Sequence, residues 1–512
     1  MKKYFEKVQV ILVILFFTFS LLTLNNFKVF AASSNISVKQ LPNKTNVSIY
    51  KNWTITFTSP VNFKTANNEN ITVTDSNSNP QPVDIEQGND TVSIIVNCPK
   101  EGYSPGHTYY ININNKVTSL YGIPLKKPVK MAFTTSKENS NDVVNFPDKN
   151  LEAAIRDTLG KPTGDIYKSD VENITLLDAS SRKIQDISGI ENLINLQNLS
   201  LDYNKINDIS ALKNLSDLQS LSLNDIEISD ITSLKGLYNL QKLSLGTNRI
   251  SDLNALEDLY NLQSLCLDVN PISDIHILKN LHNLQELFLD INQINDITPL
   301  KDLSNLQSLS LYDTQINDIT SLKSLYNLQV LNLSKNRIND ITPLKDLYNL
   351  QSLSLNNTQI NDIVSLKGLC NLQKLDLYNT QVNNIIPLKG LSNLQSLYLD
   401  KNQISNITPL EDLYNLQVLT LDNTQINDIT PLKKLSNLRH LTLGSNQISD
   451  ISLLKELSDL QWLDLRNNQI YDISPLKNLY NLQYLNLSDN QISDKDNQEL
   501  KNVLINCSIM LY

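Results

Sequence analysis

Pairs of leucines two residues apart recur every 22 residues along most of this chain. The first of each pair runs from Leu199, Leu221 and Leu243 onward to Leu485, and the second from Leu201 to Leu487. There are fourteen copies without insertion or deletion, and an atypical fifteenth begins at Leu177. A fixed period in the twenties is the mark of a solenoid, in which each unit buries its apolar face only against its neighbours. That settles the class of architecture and narrows the function to recognition.

Within one copy the rhythm changes. Leu199 and Leu201 alternate with Asn198, Ser200 and Asp202, the period of a strand with one buried face. Ile206, Ile209, Leu212, Leu215 and Leu218 then follow three apart, the period of 3₁₀ turns rather than of an α-helix. Parallel strands about 4.8 Å apart would form a sheet on the order of 70 Å long. The bulkier return arm would curve it, placing the sheet on the concave side. Three residues after each pair stands Asn (Asn204, Asn248, Asn270 and others) or Thr (Thr314, Thr358, Thr380, Thr424). Their side chains are expected to satisfy backbone groups at the inward turn. Ile226 cannot, so its coil should be strained or repaired by water. The prolines of D-I-T-P-L suit the start of a short helical turn. Asp208, Asp296, Asp340 and Asp428 read as caps of those turns rather than acid catalysts. The recurring Tyr or Ser of L-Y-N-L-Q and L-S-N-L-Q reads as scaffold.

The unit N-L-Q-x-L-x-L-x-x-N-x-I-x-D-I-x-P-L-K-x-L resembles the 22-residue leucine-rich repeat of bacterial internalins. The leader, from Phe146-Pro147-Asp148 to Asp165-Ile166, resembles the helical cap that opens such arrays, a helix over 148–159 stopped by Gly160 and Pro162. The expected organisation is a cap over 143–176, about 15 coils over 177–490 and a C-terminal cap over 491–512, a short helix and then a strand on the open edge.

Residues 1–31 read as a secretion signal, with Lys2, Lys3 and Lys7 ahead of an apolar run and a cut before Ala32. An uncleaved anchor is the rival reading and the only route to a membrane. Residues 36–136 carry alternating β-branched runs such as Ile71-Thr72-Val73-Thr74, and read as a β-sandwich resembling a bacterial Ig-like domain. Internalins usually carry that piece after the repeats; here it precedes them.

A net charge of −10 argues against a nucleic-acid partner. Four scattered cysteines make no disulfide framework, and His107, His276, His282 and His440 make no zinc motif. The chain is expected to be a monomer without cofactor, metal or enzymatic activity. Binding belongs to the variable strand positions flanking the leucines. Eight acids against three bases there favour a basic or polar partner. His440, Trp462 and Tyr484 share one column in three consecutive coils, with Asp464 and Arg466 beside them. Phe288 and Tyr312, with Tyr378 and Tyr398 further on, make a second patch. Exposed aromatics and arginine carry interfaces. The competing reading has the three rings stacking on one another or touching the C-terminal tail. By resemblance, the function is that of a secreted or cell-surface recognition protein. It would bind a protein or glycan, such as a host surface protein, as an adhesin or virulence-type factor. The alternative is a structural or interaction protein of the bacterial envelope.

Overall fold

The computed structural model describes residues 38–88, 90–136 and 142–511. The expected signal segment lies outside them, and no described helix is long and apolar enough to cross a membrane. The described residues divide into two compact units, one up to Leu221 and one from Ser222 onward.

The first unit opens with a β-sandwich. One sheet joins β1 (Lys39–Gln40), β2 (Lys44–Val47), β4 (Ile71–Asp75), β7 (Thr108–Ile113) and β8 (Val129–Thr135); the other joins β3 (Trp53–Thr56), β5 (Ile85–Gln87) and β6 (Ser93–Val96). Strict alternation of buried and partly buried residues along β7 and β8 aims one face of each inward. Trp53, Tyr103, Tyr109 and Phe133 fill the core, with Trp53 and Tyr103 each 5.0 Å from the Phe133 ring centre.

The cap begins with α1 (Lys149–Leu159), which buries Leu151, Ala154 and Ile155. Asp148 caps it, accepting from the amides of Asn150 and Leu151. Its second carboxylate oxygen accepts from Gln185 and Asp186, so one side chain starts the helix and ties it to the first coil. Gly160 ends the helix in the left-handed region at φ 62°. The sandwich meets the cap and first coils through buried polar groups. Ser48 donates to Glu172 at 2.6 Å, and Lys51 donates to Asn195 at 2.7 Å and pairs with Asp217.

The repeats contribute three-residue strands in parallel register, as in Leu265 opposite Leu287, and sheet order follows chain order through sixteen strands. The return arms are 3₁₀ turns such as Thr298–Leu300, with Pro299 at the first turn. Asp208, Asp296 and Asp340 each accept the amide two residues on at 2.8 Å and Asp428 at 2.9 Å, and Asn384 and Asn406 do the same before their turns. At the far end α2, a helix over Asp494–Val503 capped by Ser493, precedes the strand Ser508–Met510, which pairs with Tyr484–Asn486.

The asparagine column forms the expected ladder. The Asn270 amide donates to the carbonyls of Leu267 in its own coil and Leu245 in the one before, while its oxygen accepts from Ile250. The Thr314 and Thr380 hydroxyls lie within bonding distance of the own-coil carbonyl and of the next asparagine's oxygen, two acceptors that share their single proton. The Ile226 coil is strained as expected: Glu227 is left-handed at φ 68°, as is Lys183 at 64° after Arg182, the other coil lacking Asn or Thr. Asn248 of the next coil still accepts from Ile226 and Ile228 and donates to Leu223, as other asparagines of the column do for the coil before them.

A second asparagine ladder runs through Y-N-L-Q. The Asn283 amide donates to the carbonyl of Tyr260, Asn305 to His282, Asn327 to Ser304 and Asn393 to Cys370, at 2.7–2.8 Å. The coil therefore uses the backbone of the Tyr position and not its side chain. The scaffold reading of those tyrosines holds only for the main chain.

Candidate functional site

The strands put three side-chain columns on the solvent face of the sheet. His440, Trp462 and Tyr484 are register partners in one of them. Their rings stack: His440 on Trp462 at 5.4 Å and 4° between planes, Trp462 on Tyr484 at 3.8 Å and 16°. The Tyr484 hydroxyl donates to the Met510 sulfur at 3.1 Å, so the column continues onto the tail strand. Both contacts of the competing reading are thus present, and Trp462 nevertheless stays 40% exposed. Partial burial holds the His440 imidazole below its usual value against the pull of Asp422 and Asp400, which keeps it neutral in the stack at neutral pH.

Arg466 lies beside the rings and bridges Asp422 and Asp464, each at 3.0 Å. Gly444 makes this possible, because a Cβ there would sit 3.0 Å from the Arg466 side chain. Burial pushes the Asp464 carboxyl up, partly offset by the Arg466 amide and guanidinium. One guanidinium thus faces two carboxylates, which hold it in one place with its side chain nearly half exposed.

The second patch does not form one surface. Phe288 and Tyr312 stand in neighbouring coils, Tyr378 and Tyr398 in another neighbouring pair, and two strands separate the pairs. Tyr312, Tyr378 and Tyr398 instead carry lysines over their rings: Lys335 at 4.8 Å, Lys401 at 5.2 Å and Lys374 at 5.8 Å. Lys335 and Lys401 escaped the sequence reading because they sit at the left-handed turn position just beyond the three columns. A fourth column would have found them.

The acids of this face have a further role that spacing did not show. Asp268, Asp290, Asp400 and Asp422 each accept the backbone amide of the matching residue one coil on, at 2.7–2.8 Å. Asp400 also takes the Thr420 hydroxyl. These carboxylates hold coils together as well as setting the potential outside.

Among the described residues no cluster of His, Cys, Asp or Glu is arranged to hold a metal ion. His276 contacts its neighbour Asp274, at 3.0 Å. An open cleft of about 490 Å³ lies on the return arms, lined by the capping Asp296 with Lys301, Asp318 and Lys323 among others, and includes none of the strand-face residues described above.

Residues 36–135 match the family model of a bacterial Ig-like domain, and windows between 260 and 502 match leucine-rich repeats in two-copy units. A comparison with curated proteins gives no match. Among solved structures, an internalin, InlF, of Listeria monocytogenes is 33% identical, over 73% of this chain and 98% of that one, with a TM-score of 0.53. A leucine-rich repeat protein of Leptospira interrogans is 27% identical over 67% of this chain and 97% of its own, at 0.61. The leucine-rich repeat ectodomain of an Arabidopsis thaliana receptor kinase, solved in complex with Casparian strip integrity factor 2, shares the fold at 22% identity, over 67% of this chain and 48% of its own, at 0.56. Repeat, cap and overall likeness agree: the chain belongs to the internalin family of leucine-rich repeat proteins and carries a bacterial Ig-like domain ahead of its repeats.

Proposed function

We propose that this is a secreted or surface-displayed recognition protein that binds a protein partner at His440, Trp462 and Tyr484, with Arg466 and Asp464 at its rim. The observation that carries this reading is the stacked column itself. Stacking uses up the faces of the inner ring and presents ring edges, the indole among them, beside a pinned guanidinium. A sugar needs a free aromatic face to lie on. Ring edges with a fixed arginine suit the backbone and side chains of a protein, and such residues dominate protein interfaces. A leucine-rich repeat ectodomain solved with a bound factor supports the same class of partner. Kinship with internalins favours a host surface protein and an adhesin-type role, and Ig-like and internalin domains are at home on surfaces and in secreted proteins.

The test is capture of surface proteins from host membranes, with the bacterium's own envelope as the second source. Trp462→Ala with Tyr484→Ala should weaken capture by roughly tenfold or more. A Trp462→Tyr variant keeps a stackable ring and should retain most binding. Undiminished capture by the double variant rules this site out, and capture from the envelope alone replaces host adhesion with an envelope role.

A further inference from the structure

The tyrosines of L-Y-N-L-Q are not needed by the coil. His282, Ser304 and Cys370 stand at the same place and offer the same carbonyl to the next asparagine at the same distance. Yet Tyr238, Tyr260, Tyr326, Tyr348, Tyr414 and Tyr480 are 46–71% exposed, a cost no coil requires. Three are also held. Tyr260, Tyr348 and Tyr414 donate their hydroxyls to the aspartates two residues earlier, at 2.9, 3.2 and 2.7 Å. Those contacts hold the three rings at the surface, each about half exposed.

Beside them, three residues on, runs a column of glutamines, among them Gln263, Gln307, Gln351 and Gln417, with only Arg439 charged among the regular copies. Most are exposed, and Gln351 touches Gln329 at 3.4 Å. On one side the platforms border a track of uncharged amides, each offering donors and an acceptor, and on the other the aspartates that hold Tyr260, Tyr348 and Tyr414. The platforms recur as Tyr238 with Tyr260 and, four coils on, Tyr326 with Tyr348, then Tyr414 another four coils beyond Tyr326. Four coils span about 19 Å at strand spacing. Separated platforms along one track call for an extended ligand. Exposed aromatic rings suit a flat C–H surface, and neutral amides suit hydroxyls. A pyranose chain has all three properties.

We infer that this flank binds a linear, neutral glycan, a ligand and a surface separate from the strand-face site. The test is affinity electrophoresis of the whole protein through gels holding neutral polymers of glucose, mannose, galactose or N-acetylglucosamine. At least one polymer should retard it. The triple variant Tyr260→Ser, Tyr326→Ser and Tyr348→Ser should lose about tenfold or more in affinity. It should melt as the parent does, because serine already fills this position in other coils. The Trp462 and Tyr484 double variant should bind the polymer normally, which separates this inference from the strand-face proposal. Three outcomes overturn it: no retardation by any polymer, retardation unchanged in the triple variant, or tyrosine-dependent capture of a protein in place of a glycan.

Discussion

At the scale of single residues, the array is stabilised by side chains that replace missing backbone partners. Asn270 shows how much rests on one amide. It serves Leu245, Leu267 and Asp268 as donor and Ile250 as acceptor, all around a buried turn. Alanine there would leave buried groups unpaired at about 1–3 kcal/mol each. Asn270→Ala should therefore lower stability by roughly 2–4 kcal/mol. Asn270→Thr should cost less, since Thr314 and Thr380 keep the own-coil bond. Urea midpoints of the two variants check the order, and equal losses would contradict it. This column was legible because one residue type recurs at a turn that buries backbone. The aspartates of the strand face were not, because spacing cannot separate a carboxylate facing solvent from one accepting the next coil's amide. Asp290 does both with its two oxygens available, one of them already on Tyr312.

At the scale of the element, strand and 3₁₀ turn carry opposing responses to pH. Hydroxyl and backbone bonds from Thr298, Thr320, Thr342 and Ser474 hold Asp296, Asp318, Asp340 and Asp472 below the usual aspartate value near 3.8. A carboxyl with a lowered folded value contributes stability above the unfolded value and loses it as pH falls through the folded one. On the sheet, burial pushes Asp268, Asp400 and Asp464 up. Those three disfavour folding at neutral pH, and the penalty lifts as pH falls through their raised values. Melting temperature should therefore rise modestly from pH 7 into the mildly acid range and fall below about pH 4. Asp400→Asn should flatten the rise, and Asp318→Asn with Asp340→Asn should blunt the fall. A melting temperature that declines steadily from pH 7 would contradict the assignment. The three-residue rhythm made the 3₁₀ arms readable from sequence. The second asparagine ladder was hidden because its consensus surroundings gave no hint that a carbonyl one coil back was the partner.

At the scale of the whole molecule, the decisive contact for the first unit joins residues 166 apart in sequence. No local pattern predicts such a pair. The one clue lay in the second asparagine column, where Asp217 and Asp459 alone replace Asn in the regular copies. An aspartate cannot donate to the previous coil, so Asp217 gave up its ladder bond, and the structure shows the return: it pairs with Lys51 of the sandwich, while Lys51 also reaches Asn195, whose own amide keeps its ladder bond to Glu172. Lys51 and Asp217 are 10% and 6% exposed at the side chain, so water screens them little. Removing one partner from a buried pair typically costs about 3–5 kcal/mol, since the other charge is left unpaired, whereas removing both costs far less. Lys51→Met should therefore loosen the hold of the Ig-like domain on the first coils. Amide hydrogen exchange should accelerate around 48–53 and 172–217 while the sandwich core near Phe133 and the coils beyond Ser222 keep their protection. Lys51→Met with Asp217→Asn should recover most of the lost protection, because the pair is then removed whole. If Lys51→Met alone leaves exchange unchanged at both segments, the pair does not hold the domains together. The Ig-like domain would then be a neighbour of the array and not part of its N-terminal seal.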